Sequence, residues 1–454
     1  MQPNTFMRPH QLLAVPVVAA LGVAIAQLEV GGRSPALPGT TLLAIAAAAA
    51  VSVVTSSNAR WAAGAFIAAV TSFVGFTITT APPGDRGDVF YYEALADVAR
   101  LFDDLDQNDL GVSSVLPDLL IWQLSPATGR WVLPDLLIAA LSVCMLLAAA
   151  AAGVLSTRAV SSDSDRPAAD DAGIGSLLRA RRPQRAGLGV LAVLMTAIPT
   201  VYVSNYVEVY PFAIIAGLLA VGTAVAWLRG AAAWHVTAAA LALAVLAHGL
   251  YLLIPIGVAI VVVAERRWRD GVPVLAAMST VVAIVLVGLW WSPSHQVVSG
   301  NAGGGADGQL LASIGSRGWF EGVVWALLPG AGAAIALVVT SGRDVLARGR
   351  HELVFAGLAV AFWLLWGFDF GLPADIDLIA TGAVLVIPAT IAAIDSLVSS
   401  DRRAPAVLAV TAVLVAVSVG TILFSASDVP DGCKHEAVAN RELVSQGQCP
   451  MLPG

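Results

Sequence analysis

Apolar stretches of about 18 to 25 residues recur along the whole chain, separated by short polar turns. Each is long enough to cross a hydrocarbon core of roughly 30 Å as a helix. In lipid every backbone N–H and C=O must find a partner within the protein, so only helices or a closed barrel can span. A barrel would show short segments of alternating polarity, which this sequence lacks. The expected fold class is therefore all-α: a polytopic transmembrane helical bundle of about 13 spans. The expected spans are 10–29, 38–56, 61–80, 131–156, 186–204, 209–228, 231–249, 251–265, 272–291, 319–340, 352–368, 376–396 and 405–425. Composition agrees: 58% of the 454 residues are hydrophobic, 12% are charged and the mean hydropathy is +0.81. A soluble chain carries about twice that charged fraction.

Orientation follows from arginine. The loops STR…RARRPQR (156–185), Arg229, ERRWRD (265–270), GRDVLARGR (342–350) and SDRR (400–403) all fall on one side under this count, and the other side is rich in Asp and Glu. The positive-inside rule makes the arginine side cytoplasmic. The expectation is a multi-pass plasma-membrane protein with a cytoplasmic N-terminus and an extracytoplasmic C-terminus. No cleavage site follows the first apolar run, which is read as a retained span. The organisation expected is an N-terminal transmembrane hairpin (1–60), a transmembrane core (61–400), a last helix (401–425) and an outer tail (426–454). Within the core lie a large outer loop (81–130) and a Ser/Asp/Ala-rich cytoplasmic linker (157–185). In the outer loop, VFYYEALADVARLF has the spacing of an amphipathic helix lying on the membrane surface. Loop 292–318 is Gly-rich.

Ionisable residues pressed against an apolar bundle are functional candidates by default. Three acidic groups emerge on the outer side. Asp85 and Asp88 follow a span directly, with Tyr92 and Glu93 next in the same loop. Glu208 stands in the short turn SNYVEVYPF among Tyr202, Tyr206 and Tyr210. Asp369, Asp375 and Asp377 stand in GFDFGLPADIDLIA, with Asp377 at the start of an apolar run. Such carboxylates serve as a general base, or hold a divalent cation (magnesium or manganese) against a phosphate. The competing readings are an interfacial tyrosine belt with a solvated Glu208, a solvated acidic loop, and a helix cap at Asp377. Asp103, Asp104, Asp106 and Asp109 fit a solvated acidic run.

Cations that can face a phosphate from the same side include Arg86, Arg100, Arg130, His248, His295 and Arg317. His248 closes a span in LAHGLY, near Tyr251, where an interfacial or packing role competes with chemistry. No HExxH, CxxC or GxxxxGK motif occurs, and no nucleic-acid signature. Cys144 lies in an apolar run, as inert packing. Cys433 and Cys449 bracket the polar tail, as a loop-closing disulfide or as two free thiols.

With these pieces assembled, the chain resembles the GT-C superfamily of polytopic membrane glycosyltransferases, which use sugars carried on polyprenyl phosphate. The resemblance rests on the outer loop GDVFYYEA, the turn YVEVYP, the span end HGLY and the late loop GLPADIDL, and covers roughly residues 60 to 400. It sets the chain in an uncharacterised bacterial branch, apart from the protein-O-mannosyltransferases, which show Asp-Glu where this chain has Gly87-Asp88. It implies inverting transfer of a hexosyl or pentosyl group to a glycan, lipid or protein acceptor, with membrane lipids as surroundings and no nucleic-acid partner. Asp88 and Asp85 would act as base or acceptor-orienting groups, and Glu208 would line the cavity. Asp85, Asp88 and Glu208 would also be the ligands of any metal. Glu93, Tyr92, Tyr206, Tyr210, His248, His295, Arg317, Asp375 and Asp377 would bind substrate. The rival expectations are a transporter or flippase for a lipid-linked glycan or small solute, and a non-catalytic membrane scaffold. Transporters place ionisable groups at the bilayer midplane on broken helices, whereas here these groups cluster at span ends.

Overall fold

A computed structural model describes residues 36–56, 59–80, 110–111, 134–157, 182–204, 210–290, 297–298, 327, 330–339, 349–365 and 376–400. These form about twelve helices and one short strand pair. In chain order the helices are α1 (Ala36–Thr55), α2 (Ala59–Thr80), α3 (Pro134–Thr157), α4 (Arg182–Leu194), α5 (Ile198–Ser204), α6 (Tyr210–Leu228), α7 (Trp234–Ala247), α8 (Leu253–Ala264), α9 (Trp268–Trp290), α10 (Arg350–Leu365), α11 (Ile376–Ala383) and α12 (Ile387–Ser400). A 3-10 turn, Gly249–Leu252, joins α7 to α8, and another, Val384–Val386, joins α11 to α12. A shorter apolar helix covers Gly330–Val339. Helices lie where the apolar stretches predict them. The expected spans 10–29 and 405–425 lie outside the described residues.

Among the described residues four helical stretches are long and apolar enough to cross a membrane: Ala139–Thr157, Tyr210–Leu228, Trp268–Gly288 and Leu378–Val398. Together they indicate a multi-pass membrane protein. Helix α6 is the central one. It carries no charge, opens on Tyr210-Pro211 and buries nearly its whole length. Proline is tolerated there because a helix's first N–H groups have no intrahelical partner. Around α6 pack α3, α7, α8, α11 and α12. Helix α9 is peripheral, and exposes Val272, Val281, Ile284 and Val287.

Small residues set the closest crossing. Gly153 of α3 and Gly189 of α4 lie backbone to backbone, so a Cβ on Gly189 would be 2.9 Å from the Gly153 nitrogen. Between apolar helices in lipid there is no hydrophobic drive, so close packing of small residues supplies much of the association.

Two expectations need correction. The span 186–204 is not one helix: α4 ends at Leu194 and α5 begins at Ile198. Thr196 makes the break affordable in a buried place. Its hydroxyl donates to the Val193 carbonyl at 2.8 Å and accepts the Ile198 N–H at 3.3 Å. Cys144, expected as inert packing, is exposed on α3 with a free thiol, on a face that no described residue covers.

The polar ends sort by type. Arg229, after α6, pairs with Glu352 of α10 and donates to the Ser156 carbonyl of α3. Glu265, after α8, meets Arg350 at 2.6 Å and His351 at 2.7 Å. Arg267 donates to the Leu228 carbonyl at 2.7 Å, and its guanidinium lies 5.4 Å from the Trp227 ring centre. Gln184 donates to the Ser56 carbonyl. Residues from four of the five arginine-bearing loops thus gather at one end of the bundle.

At Leu110 and Gly111, a two-residue strand pairs in parallel with Val297 and Val298. It links the two loops, 81–130 and 292–318, that the arginine count places together on the opposite side. The rest of loop 81–130, with its expected surface helix, the linker 158–181 and the tail with Cys433 and Cys449 lie outside the described residues.

Candidate functional site

The site is built at the end away from the arginines. Helix α6 starts at Tyr210 and runs 19 residues towards Arg229, about 28 Å. Helix α7 returns over 14 residues and stops at Ala247. Tyr210 and His248 are therefore brought back to the same level.

Local backbone geometry fixes His248. It leaves the helix in an extended conformation (φ −161°, ψ 132°), with its N–H still donating to the Ala244 carbonyl at 2.9 Å. Its Nδ1 accepts the Leu250 N–H at 3.2 Å and so caps the 3-10 turn that follows. That bond assigns the ring proton to Nε2. The imidazole is buried, at 8% exposure. Its ring centre lies 5.4 Å from that of Tyr210 and 6.1 Å from that of Tyr251, the latter edge-on.

Tyr251 is packed hard. Its side chain is fully buried and lies over Gly217 of α6, where an added Cβ would be 2.8 Å from both Cε1 and Oη. Its hydroxyl has no hydrogen-bond partner among the described residues. Nearby, Tyr202 donates its hydroxyl to the Pro211 carbonyl at 2.9 Å, tying α5 to the start of α6, and its ring meets Phe73. Of the tyrosines around the Glu208 turn, Tyr202 is thus a buried structural clamp, whereas Tyr210 is half-buried beside His248.

Helix α11 brings the late acidic loop to this region. It packs on α5 and α6, while α12 packs on α4. Residues 376–400 therefore run antiparallel to 182–204, with Ile376 and Asp377 at the Tyr210 end. Asp377 lies in the first turn of α11 rather than at its cap. Asp85, Asp88, Tyr92, Glu93, Tyr206, Glu208, His295, Arg317 and Asp375 lie outside the described residues, as does the side chain of Asp377. Among the described residues no three His, Cys, Asp or Glu side chains lie close enough to hold a metal ion.

Sequence reasoning missed the polar cluster at the arginine end. Glu265, His351 and Glu352 sit beside arginines that the sequence explains by topology alone. Their signal was present as acids placed within basic turns, ERRWRD and RHE. A hydrogen bond from His351, then the charges of His351, Arg350 and Arg267, hold the Glu265 carboxyl below its ordinary range against the opposing effect of burial. Among the described residues this cluster contacts helix ends, so it reads as a clasp.

No protein-family model, curated protein or solved structure matches the chain.

Proposed function

We propose that this chain is a membrane glycosyltransferase that moves a sugar from a polyprenyl-phosphate carrier to a glycan, lipid or protein acceptor of the cell envelope, on the outer face of the plasma membrane. The observation that supports it most is the contact of His248 with Tyr210, at the arginine-poor end where the Asp377 helix also begins. A histidine whose Nε2 carries the proton, packed beside a half-buried tyrosine, offers a donor to an anion in a place of low dielectric, where such groups act strongly. The apolar faces beside it suit a prenyl chain.

In this reading Asp88, with Asp85, takes the proton of the acceptor hydroxyl. The acceptor oxygen bonds to C1 as the bond from C1 to the phosphate oxygen breaks, with inversion. The electron pair leaves on polyprenyl phosphate, whose charge His248 and an outer arginine offset. Asp375 and Asp377 close the pocket. Asp85, Asp88 and Glu208 are the positions to which any magnesium or manganese requirement would be traced.

A second reading, a transporter or flippase, is favoured by one observation: the buried break between α4 and α5, since transporter sites use discontinuous helices. No ionisable side chain lies in that break, from Met195 to Ala197, which favours the first reading.

Mass spectrometry of envelope glycans and polyprenyl-phosphate sugars separates the two. Wild type, a deletion and Asp88→Asn at equal protein level are compared. Glycosyl transfer expects both mutants to lose one glycan residue and to accumulate a polyprenyl-phosphate sugar. A deletion that changes neither pool rules out the transferase and directs the search to a transported solute.

A further inference from the structure

The arginine end carries a second, unassigned surface. Residues 229, 265–270 and 350–352 hold five arginines and three carboxylates, an excess of two positive charges. Arg229 pairs with Glu352, Arg350 with Glu265, and Arg267 with Glu265 and Asp270. Arg266 and Arg269 are exposed and have no acidic partner among the described residues. Arg266 also has φ 56°, a left-handed backbone that is uncommon for a side chain this large. The turn from α8 to α9 therefore holds a strained conformation with an unpaired cation at its tip.

Apolar surface adjoins these charges. Trp268 is 52% exposed and Trp234 is 49% exposed. They open α9 and α7, which pack side by side. From Trp268 the same exposed side of α9 continues through Val272, Ala276 and Val287 along a helix long enough to cross a bilayer. Tryptophan at headgroup depth, arginine just beyond it and aliphatic residues below match the layers of a lipid leaflet.

We propose that this corner binds an anionic phospholipid, with Arg266 and Arg269 on the headgroup phosphate, Trp234 and Trp268 at the glycerol level and the α9 face along the acyl chain. Charge complementarity selects this occupant over a second copy of the chain, because two like corners would set unpaired arginines against each other. The inference rests on the multi-pass reading and is independent of glycosyl transfer.

The test is native mass spectrometry of lipid retention by the full chain. The protein is released from detergent micelles supplied with dimyristoyl phosphatidylglycerol or dimyristoyl phosphatidylcholine. Each arginine near an anionic surface is worth about fivefold in binding, so the pair is worth roughly 25-fold. Wild type should retain phosphatidylglycerol preferentially, and Arg266→Gln/Arg269→Gln should lose that preference with unchanged helical content. Arg266→Lys/Arg269→Lys should restore it, as a folding control that keeps the charge. Equal retention of the two lipids by wild type, or an undiminished preference in the glutamine variant, would overturn the proposal.

Discussion

Gly217→Ala and Gly357→Ala are the same chemical change in two helices, and the structure gives them opposite signs. At Gly217 the added Cβ would lie 2.8 Å from Tyr251 Cε1 and Oη and closer still to Cζ. Ordinary carbon contacts lie at about 3.5–4.0 Å, so the ring must retreat by roughly 1 Å. It has little room, being fully buried with the His248 ring on one side. Overpacking of this kind costs about 1–3 kcal/mol. At Gly357, on the exposed face of α10, nothing lies within 4 Å of the added atom. Alanine there removes backbone freedom from the unfolded chain and stabilises by about 0.4–1 kcal/mol. The two variants should therefore differ by roughly 1.5–4 kcal/mol. Equilibrium unfolding in one mixed micelle, titrated with a denaturing detergent and followed by circular dichroism, measures that difference. Tyr251→Phe supplies an internal check. It removes one of the clashing atoms and a buried hydroxyl without a partner among the described residues, so alone it should not destabilise, and with Gly217→Ala it should recover part of the loss. A Gly217→Ala protein as stable as Gly357→Ala would refute the packing argument.

Three further outcomes are expected. Arg229→Gln should cost about 3–5 kcal/mol, because it leaves the Glu352 carboxylate buried and unpaired. The double variant with Glu352→Gln should cost less than the sum of the singles, and additivity within about 0.5 kcal/mol would mean no coupling. His248→Asn keeps a side-chain acceptor for the Leu250 N–H, whereas His248→Ala loses that cap and about 1 kcal/mol. If the imidazole serves glycosyl transfer, both variants should lose the glycan product. A His248→Asn strain with wild-type glycan would confine this residue to capping. Glu265 has its folded pKa depressed below the ordinary value of 4.5, so its contribution is complete above that pH and fades as pH falls through the folded value. Thermal stability should therefore fall on acidification below about pH 4.5, with a smaller fall in Glu265→Gln.

Helices were legible because length and hydropathy dictate them. Nothing but a helix suits YPFAIIAGLLAVGTAVAWL, and α6 lies where the apolar run predicts it. The end of α7 at His248 was legible for a related reason, since a polar residue followed by glycine stops an apolar run. The gap between α4 and α5 had one mark, Pro199, which has no N–H to give the Met195 carbonyl and so breaks a continuous helix there. The threonine hydroxyl that stands in for backbone partners leaves no pattern in hydropathy. Tyr251 was visible as a neighbour of His248, but its seat on Gly217 depends on a long-range contact between α6 and the turn after α7. The sign of the Arg229 loop was legible; its partner Glu352 was not, because pairing across the bundle follows from which helices pack.

The bond between Arg229 and Glu352 also bears on how the bundle is assembled. A chain emerges N-terminus first, at about 5–20 residues per second. Arg229 is therefore made on the order of ten seconds before its carboxylate, and until then α3 and α6 are without the brace that α10 supplies. A chain halted before α10 would hold Arg229 on the Ser156 carbonyl alone, without its carboxylate, so the closing of this end waits for the last third of the chain.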